Sequence, residues 1–276
     1  MNSILDQFKL TDRTAVVTGG AGLLGAEFCR TLAEAGAAVA VVDLNAAGAE
    51  KVADQLTRAG YQAQAVPTDI TRPEAVAGMV KAVLASYGHL DILVNSAGMD
   101  PKFDAEASAK GISPGRFEDY PLEQWQQALA ANLTGLFLVT QVCVHPMLAQ
   151  GKRGSIINIC STYGLNGPDQ RIYRKEGRPQ SFKPVYYTVT KAGVLGFTKY
   201  LAAYYAGTEI RVNALTPGGV FNQHDETFVA NYSSKTILGR MARKDEMNGA
   251  LLFLASDASS YMTGGNVVVD GGWTAW

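Results

Sequence analysis

Short apolar runs rich in β-branched residues alternate with segments of helical periodicity almost from one end of the chain to the other. Such runs, bounded by turn residues, are strand-like, whereas an apolar residue every three or four positions marks one face of a helix. The pattern predicts strands at Thr14–Thr18, Ala38–Val42, Gln62–Val66, Leu90–Val94, Ser155–Ile159, Ile210–Ala214 and Val267–Val269. It predicts helices at Gly22–Ala35, Ala46–Ala59, Pro73–Tyr87, Leu122–Gln150 (with Gly135 inside), Val185–Tyr205 and Lys244–Ala255. A polar stretch, residues 100–119, carries neither period. Strands joined by helices must run parallel, since each helix is the crossover that returns the chain to the same end of the sheet. The expected fold is α/β: one doubly wound parallel sheet of about seven strands with helices on both faces. No repeat, low-complexity tract or linker divides residues 1–276, so a single domain is expected.

Composition narrows the class. With 276 residues, 47% of them hydrophobic, the chain can bury a large core. A net charge of -1 offers no basic footprint for nucleic acid or an anionic membrane. Cys29, Cys143 and Cys160 fit neither a paired nor a metal-ligand spacing and read as reduced residues in or near the core. His89, His145 and His224 are scattered, so no metal site is expected. The N-terminal segment lacks the apolar core of a signal peptide, and no uncharged apolar run approaches membrane-spanning length. A soluble, cytoplasmic protein is expected, taking a small-molecule substrate rather than nucleic acid or a membrane.

The first strand is followed directly by Thr18-Gly19-Gly20-Ala21-Gly22-Leu23-Leu24-Gly25 and then a helix. Gly20 to Gly25 match G-x-G-x-x-G in the strand–turn–helix context of a Rossmann-type dinucleotide site. Glycines permit a tight turn and close backbone approach, and the helix N-terminus presents amides to a pyrophosphate. Asp43, at the end of the second strand, stands about where such sites place the acidic residue that accepts from the adenosine ribose. A carboxylate there repels a 2′-phosphate, and neither Leu44, Asn45 nor the glycine turn supplies a cation for one. NAD is favoured over NADP.

The second chemical signal is Tyr187-Thr188-Val189-Thr190-Lys191, inside a predicted helix. Residues four apart share a helix face, so Tyr187 and Lys191 point the same way while Tyr186 turns aside. A phenol titrates near 10, and an adjacent fixed ammonium favours its anion, which would bring Tyr187 toward use as a base. No Gly-x-Ser-x-Gly elbow is present to suggest a serine hydrolase.

Taken together, these motifs resemble the short-chain dehydrogenase/reductase family over essentially the whole chain. The matching residues are Thr18, Gly19 and Gly25, Asp69, Asn95-Ser96-Ala97-Gly98, Asn132, Ser161, Tyr187 with Lys191, Pro217-Gly218, Gly264-Gly265 and Val269-Asp270-Gly271-Gly272. The resemblance implies Tyr187 as the general acid/base, with Lys191 lowering its pKa and holding the nicotinamide ribose. It implies Ser161 as the hydrogen-bonding partner of the reacting oxygen and Asn132 as the residue positioning a water that connects Lys191 to solvent. It places the cofactor along Gly19, Gly22, Leu24, Gly25, Asp43, Asp69, Ile70, Asn95, Ala97, Gly98, Tyr187, Lys191, Pro217, Gly218 and Val220. Two departures from the family pattern stand out. Leu23 occupies a position that is usually glycine, and Ser161 and Tyr187 are 26 positions apart, about twice the usual separation. The segments Asp169–Tyr173 and Pro217–Asn222 and the ending Asp270–Trp276 resemble oxidoreductases of bacterial surface-sugar and flagellin-modification clusters.

The expected activity is hydride transfer between NAD and a secondary alcohol or ketone of a sugar or polyol derivative. A 3-ketoacyl-acyl-carrier-protein reductase is the alternative enzyme, and a non-catalytic NAD-binding scaffold or sensor the alternative of another class. The extra segment, about residues 164–184, should line the substrate side. Over 169–183 it carries Arg171, Arg174, Lys175, Arg178 and Lys183 against Asp169 and Glu176, a net +3 in a chain of -1. Arginine forks onto carboxylate or phosphate, so an anionic substrate is favoured, with Arg171 and then Arg174 as its contacts. Trp273 and Trp276 suggest burial against a neighbouring subunit and a homo-oligomer, most simply a tetramer.

Overall fold

Five consecutive residues of β1 (Thr14–Thr18) are buried, which requires cover on both of its faces. The computed structural model, which describes residues 3–100, 115–151, 153–177 and 179–276, supplies that cover. Val16 belongs to one apolar layer, while Ala15 and Val17 belong to the other. The remaining strands are β2 (Ala38–Asp43), β3 (Ala63–Pro67), β4 (Ile92–Asn95), β5 (Gly154–Ile159), β6 (Ile210–Pro217) and β7 (Asn266–Val269). They form one parallel sheet in the order β3-β2-β1-β4-β5-β6-β7. One face is covered by α1 (Leu23–Glu34), α2 (Ala46–Arg58) and α7 (Asn248–Ala255), through Phe28, Leu32, Ala53, Leu251 and Leu254. The other is covered by α3 (Pro73–Tyr87), α4 (Leu122–Ala149) and α5 (Val185–Tyr204), through Met79, Val83, Val139, Met147 and Leu201. This is the seven-stranded, doubly wound sheet that the alternation of patterns predicts.

Differences from the predicted elements are local. β6 runs to Pro217 rather than Ala214, because proline can close a strand where its missing donor is not needed. α7 begins at Asn248 rather than Lys244, since Glu246 accepts from the Arg243 amide and from both Arg240 terminal nitrogens, holding that stretch as a turn. A short helix, α6 (Glu226–Ser233), was not predicted. Its signal is the N-cap Asp225, whose carboxylate accepts from the Phe228 amide at 3.1 Å.

The helix α4 carries two surprises. It is long and apolar enough by length and composition to cross a membrane, contrary to the expectation that no stretch is. Here its apolar side is core: Leu136, Val139, Cys143, Val144 and Met147 are buried under it. It also contains a π turn at Ala130–Thr134, one residue wider than the α turns around it. Gly135 follows because a Cβ there would collide with the Ile70 side chain.

A buried polar chain fastens the sheet to these helices. Asn95 on β4 and Asn158 on β5 are directly opposite. The Asn95 amide donates to Thr140 Oγ1 of α4 and to Asn158 Oδ1, both at 2.9 Å, and Asn158 Nδ2 donates to Thr198 Oγ1 of α5 at 2.9 Å. Replacing Asn158 with Ala would orphan the Asn95 donor and leave a void between two strands and a helix. The variant should lose about 2–3 kcal/mol of stability, read as a lower midpoint in equilibrium urea unfolding.

Candidate active site

The chain passes outward from β1 to β3, then returns to lay β4 on the opposite side of β1. Loops leaving β1 and β4 therefore part in opposite directions, and a crevice opens beyond their carboxyl ends. A cavity of about 580 Å³ lies there, lined by the turns after β1, β2, β3, β4, β5 and β6.

At one end of the cavity stands the glycine turn. Gly19 has φ +66°, and a Cβ on it would strike the Ala97 backbone, so this glycine lets the turns after β1 and β4 pack together. A Cβ on Gly25 would drive into the Gly19 carbonyl. The N-terminus of α1 has no side-chain cap, and Gly22, Leu23, Leu24 and Gly25 line the cavity there. First-turn amides with no side-chain cap, at the positive end of a twelve-residue helix, suit an anionic pyrophosphate. Asp43 closes this end. Its carboxylate accepts from the Ala21 amide at 3.0 Å and the Asn45 amide at 2.9 Å, so it also braces the turn. Asp69, Ile70, Ala97, Gly98, Pro217, Gly218 and Val220 continue the lining. Asp69 accepts from the Thr71 hydroxyl and amide, and these bonds hold its carboxyl below the usual range. The site residues present thus fit a dinucleotide.

Asn95 is the exception among the residues assigned to the cofactor. It is 4% exposed, lies off the cavity, and its amide is committed to the Thr140–Asn158 chain. Its motif position reflects a structural tie between sheet and helix.

The other end of the cavity holds Ser161, Tyr187 and Lys191. Ser161 stands two residues beyond the end of β5, caps the short turn Thr162–Gly164 by accepting from the Tyr163 amide, and shares the cavity wall with the Tyr187 phenol. Tyr187 and Lys191 share the cavity face of α5, as the four-residue spacing predicts. Tyr186 is buried elsewhere, against Tyr120. Asn132 lies behind the wall, inside the π turn, where its side chain accepts from the Met99 amide and donates to Met99 O and Thr190 Oγ1. It locks the loop after β4 to α5.

Burial acts on both members of this pair. Burial is the largest influence on Tyr187 and pushes the phenol up; the Ser161 hydrogen bond acts the other way. Burial likewise pushes the Lys191 ammonium down. Lys191 Nζ donates to Ile159 O at 2.9 Å and lies 5.9 Å from the Tyr187 ring centroid.

The segment between Ser161 and Tyr187 reaches the cavity through residues other than those expected. Arg171 is exposed and forks onto Asp169, with Nε and Nη2 each 2.8 Å from a carboxylate oxygen. Arg174 donates to Gln180. Neither is part of the cavity lining, because short-range partners hold both side chains within the loop. Arg178 lies outside the described residues. Tyr173 and Lys183 of the same segment do line the cavity, with Tyr163, Asn222, His224, Phe228, Tyr232 and Met241. Sequence reasoning missed these aromatics, although the spacing of Phe228 and Tyr232 on a capped helix was a signal.

Trp273 is also not free for a neighbour. It is 8% exposed, stacks on Tyr232 at 4.3 Å and meets Tyr163 edge-on at 6.2 Å. Trp276 is exposed, its indole donating to Lys235 O. The three cysteines are free and buried. Among the described residues, no group of His, Cys, Asp and Glu side chains is placed to hold a metal ion.

Comparison with known proteins follows this geometry. A family model described as enoyl-(acyl carrier protein) reductase matches residues 20–274. The cis-4-hydroxycyclohexanecarboxylate dehydrogenase of Sinomonas cyclohexanicum is 36% identical over 272 residues, which are 96% of this chain and 97% of that protein. The D-threitol dehydrogenase of Mycolicibacterium smegmatis is 34% identical, over 97% of this chain and 95% of its own. A short-chain type dehydrogenase/reductase from Mycobacterium marinum superposes with a TM-score of 0.85 at 34% identity, covering all of both chains.

Replacing Tyr187 with Phe removes the acidic proton but little binding surface. Turnover should fall about 10²–10⁴-fold with dinucleotide affinity retained in a fluorescence titration. Tyr186→Phe should keep most of its activity, and the reverse ranking would refute the assignment.

Proposed function

The chain belongs to the short-chain dehydrogenase/reductase family, whose members act on CH–OH groups, and on that premise we propose an NAD-dependent dehydrogenase of a sugar or polyol derivative. The observation that carries this reading is the Ser161–Tyr187 pair beside Lys191, in one cavity with the uncapped α1 terminus and Asp43. A nicotinamide bound there would supply or accept the hydride. The protein's own part is proton transfer and alignment. Tyr187 gives its proton to a ketone oxygen during reduction and takes one during oxidation. The Ser161 hydroxyl orients that oxygen and steadies its developing charge. Lys191, half-buried and anchored on Ile159 O, holds a positive field beside the phenol. The aromatic end of the cavity keeps water from the reacting carbon.

Support for a hydroxylated small molecule comes from relatives named for D-threitol and for 2-dehydro-3-deoxy-D-gluconate. The resemblance of the C-terminal Asp270–Trp276 run to surface-sugar and flagellin-modification oxidoreductases puts sugars first among substrates to try. A reductase of acyl-carrier-protein substrates is the second reading, favoured by a 31% identical 3-oxoacyl-[acyl-carrier-protein] reductase of Chlamydia trachomatis. Turnover of a 3-oxoacyl thioester, with none of sugars or polyols, would select it. NAD binding with no turnover of any of these would select a scaffold.

We place the protein in the cytoplasm and expect a homotetramer. With Trp273 internal, what supports assembly is the exposed aromatic stack of Tyr200 and Tyr204 on α5, with exposed Phe137 on α4. Light scattering should give four times the 29.4 kDa of the chain, and a monomeric mass would refute the tetramer.

Asp43 supports NAD. No Lys or Arg lines the cavity at its end among the described residues, although a structural relative from Burkholderia cenocepacia, a gluconate 5-dehydrogenase 30% identical with a TM-score of 0.85, is in complex with NADP and tartrate. The wild type should prefer NAD in kcat/KM, and Asp43→Ala should reduce that preference about tenfold or more. A wild-type preference for NADP would overturn the assignment.

A further inference from the structure

The aromatic end of the cavity contains a cation that proton transfer does not require. Lys183 has only 13% of its side chain exposed and lines the cavity. Its Nζ lies 3.9 Å from the centroid of the Tyr187 ring and 5.9 Å from that of Tyr163. The backbone that carries it is fixed: Gln170 Oε1 accepts from the Lys183 amide at 2.9 Å, and Gln170 Nε2 donates to Lys183 O at 3.2 Å. Pro184 follows and caps α5, restricting Lys183 to extended backbone.

An ammonium this enclosed needs an anion. Among the described residues the one it has is Asp100, 2.7 Å away, whose own side chain is 71% exposed in the loop after β4. The pair is lopsided. Releasing Asp100 would return its carboxylate to water it already touches, whereas Lys183 would remain enclosed and require a replacement. Among the described residues, its other neighbours cannot provide one. Tyr163 and Tyr173 hydrogen-bond each other at 3.0 Å with burial pushing both phenols up, Phe228 is apolar, and burial pushes His224 toward its neutral form.

We propose that Lys183 is a specificity-determining residue that receives the carboxylate of the substrate in exchange for Asp100, so that the natural substrate is a hydroxy acid or the corresponding keto acid. This rests on the dehydrogenase reading and deepens it. Because the ammonium stands over the ring of Tyr187, the carboxylate and the carbinol carbon are joined by a short bridge. The rings of Tyr163, Tyr173 and Phe228 receive the carbon skeleton between them. The anion-binding residue of the segment is therefore Lys183, while Arg171 keeps Asp169 as its partner.

The test compares hydroxy acids with their carboxamides, lactate and 3-hydroxybutyrate among them, in full-length protein with saturating NAD. The acid should be favoured over its amide by about tenfold or more in kcat/KM. Lys183→Met should collapse that ratio toward one, chiefly through KM for the acid, and Lys183→Arg should restore much of it. Asp100→Asn should lower KM for the acid, since it removes the competing carboxylate. A Lys183→Met variant that loses acid and amide turnover in equal proportion would show a structural lysine and overturn the proposal, as would a wild type indifferent to the charge. If no alcohol on the panel is oxidised, the dehydrogenase reading fails separately. Calorimetric titration of the same acids into NADH-loaded protein then decides on Lys183: binding in the wild type that is lost in Lys183→Met supports it, and no such difference refutes it.

Discussion

Parallel strands cannot be joined by tight turns, and this constraint fixes where chemistry can occur in the molecule. Every crossover must lie over a face of the sheet, so every strand delivers its carboxyl end to the same edge. Six turns then meet at one cavity, and the reversal between β3 and β4 leaves the gap into which they point. Asp43, Gly98, Ser161 and Gly218 come from distant parts of the chain and share a site because the sheet has one polarity. The two buried layers, and the Asn95–Asn158–Thr198 chain between them, keep those carboxyl ends in register.

Within that frame, α5 acts as a ruler. Its four-residue repeat carries Tyr187 and Lys191 to the cavity, while the intervening Thr190 turns inward to accept from Asn132. Asn132 in turn grips the Met99 backbone. The π turn that places Asn132 thus links the loop after β4 to the helix bearing the acid. Burial sets the electrostatics here more than pairwise attraction does. It pushes the Tyr187 phenol up and the Lys191 ammonium down.

What was legible in the sequence is what depends on local spacing. The period of apolar residues announced the strands and helices, the glycine turn and Asp43 announced one end of the site, and Tyr187 with Lys191 the other. What was not legible depends on which side chains find partners near them. Arg171 looked available until Asp169, two residues away, proved to fold back onto it. Asn95 sits in a recognisable motif, yet its amide faces β5 and α4 rather than the cavity. Trp273 suggested a subunit contact and instead fills a space beside Tyr232 that α6 creates. Composition counted the charges between Ser161 and Tyr187 correctly but could not say that Lys183, rather than either arginine, enters the cavity.

The clasp between Gln170 and Lys183 has a bearing on how this protein can change. Two hydrogen bonds from a single side chain draw together positions thirteen residues apart, while Asp169 is held by Lys235 at 2.9 Å and Lys175 by Asp225 at 2.8 Å. The span enclosed by the clasp is a closed bight whose two feet are already moored to the body of the enzyme. Lengthening such a bight costs little, because closure entropy grows only with the logarithm of its length. Away from Ile172, Tyr173 and Lys175, which pack or pair inward, exposed residues of the span such as Arg174 and Glu176 can be exchanged while the ammonium over Tyr187 stays where it is. The outer face of the loop is thereby uncoupled in heredity from the cavity beneath it, and a descendant could acquire a new outer surface without first having to rebuild its acid.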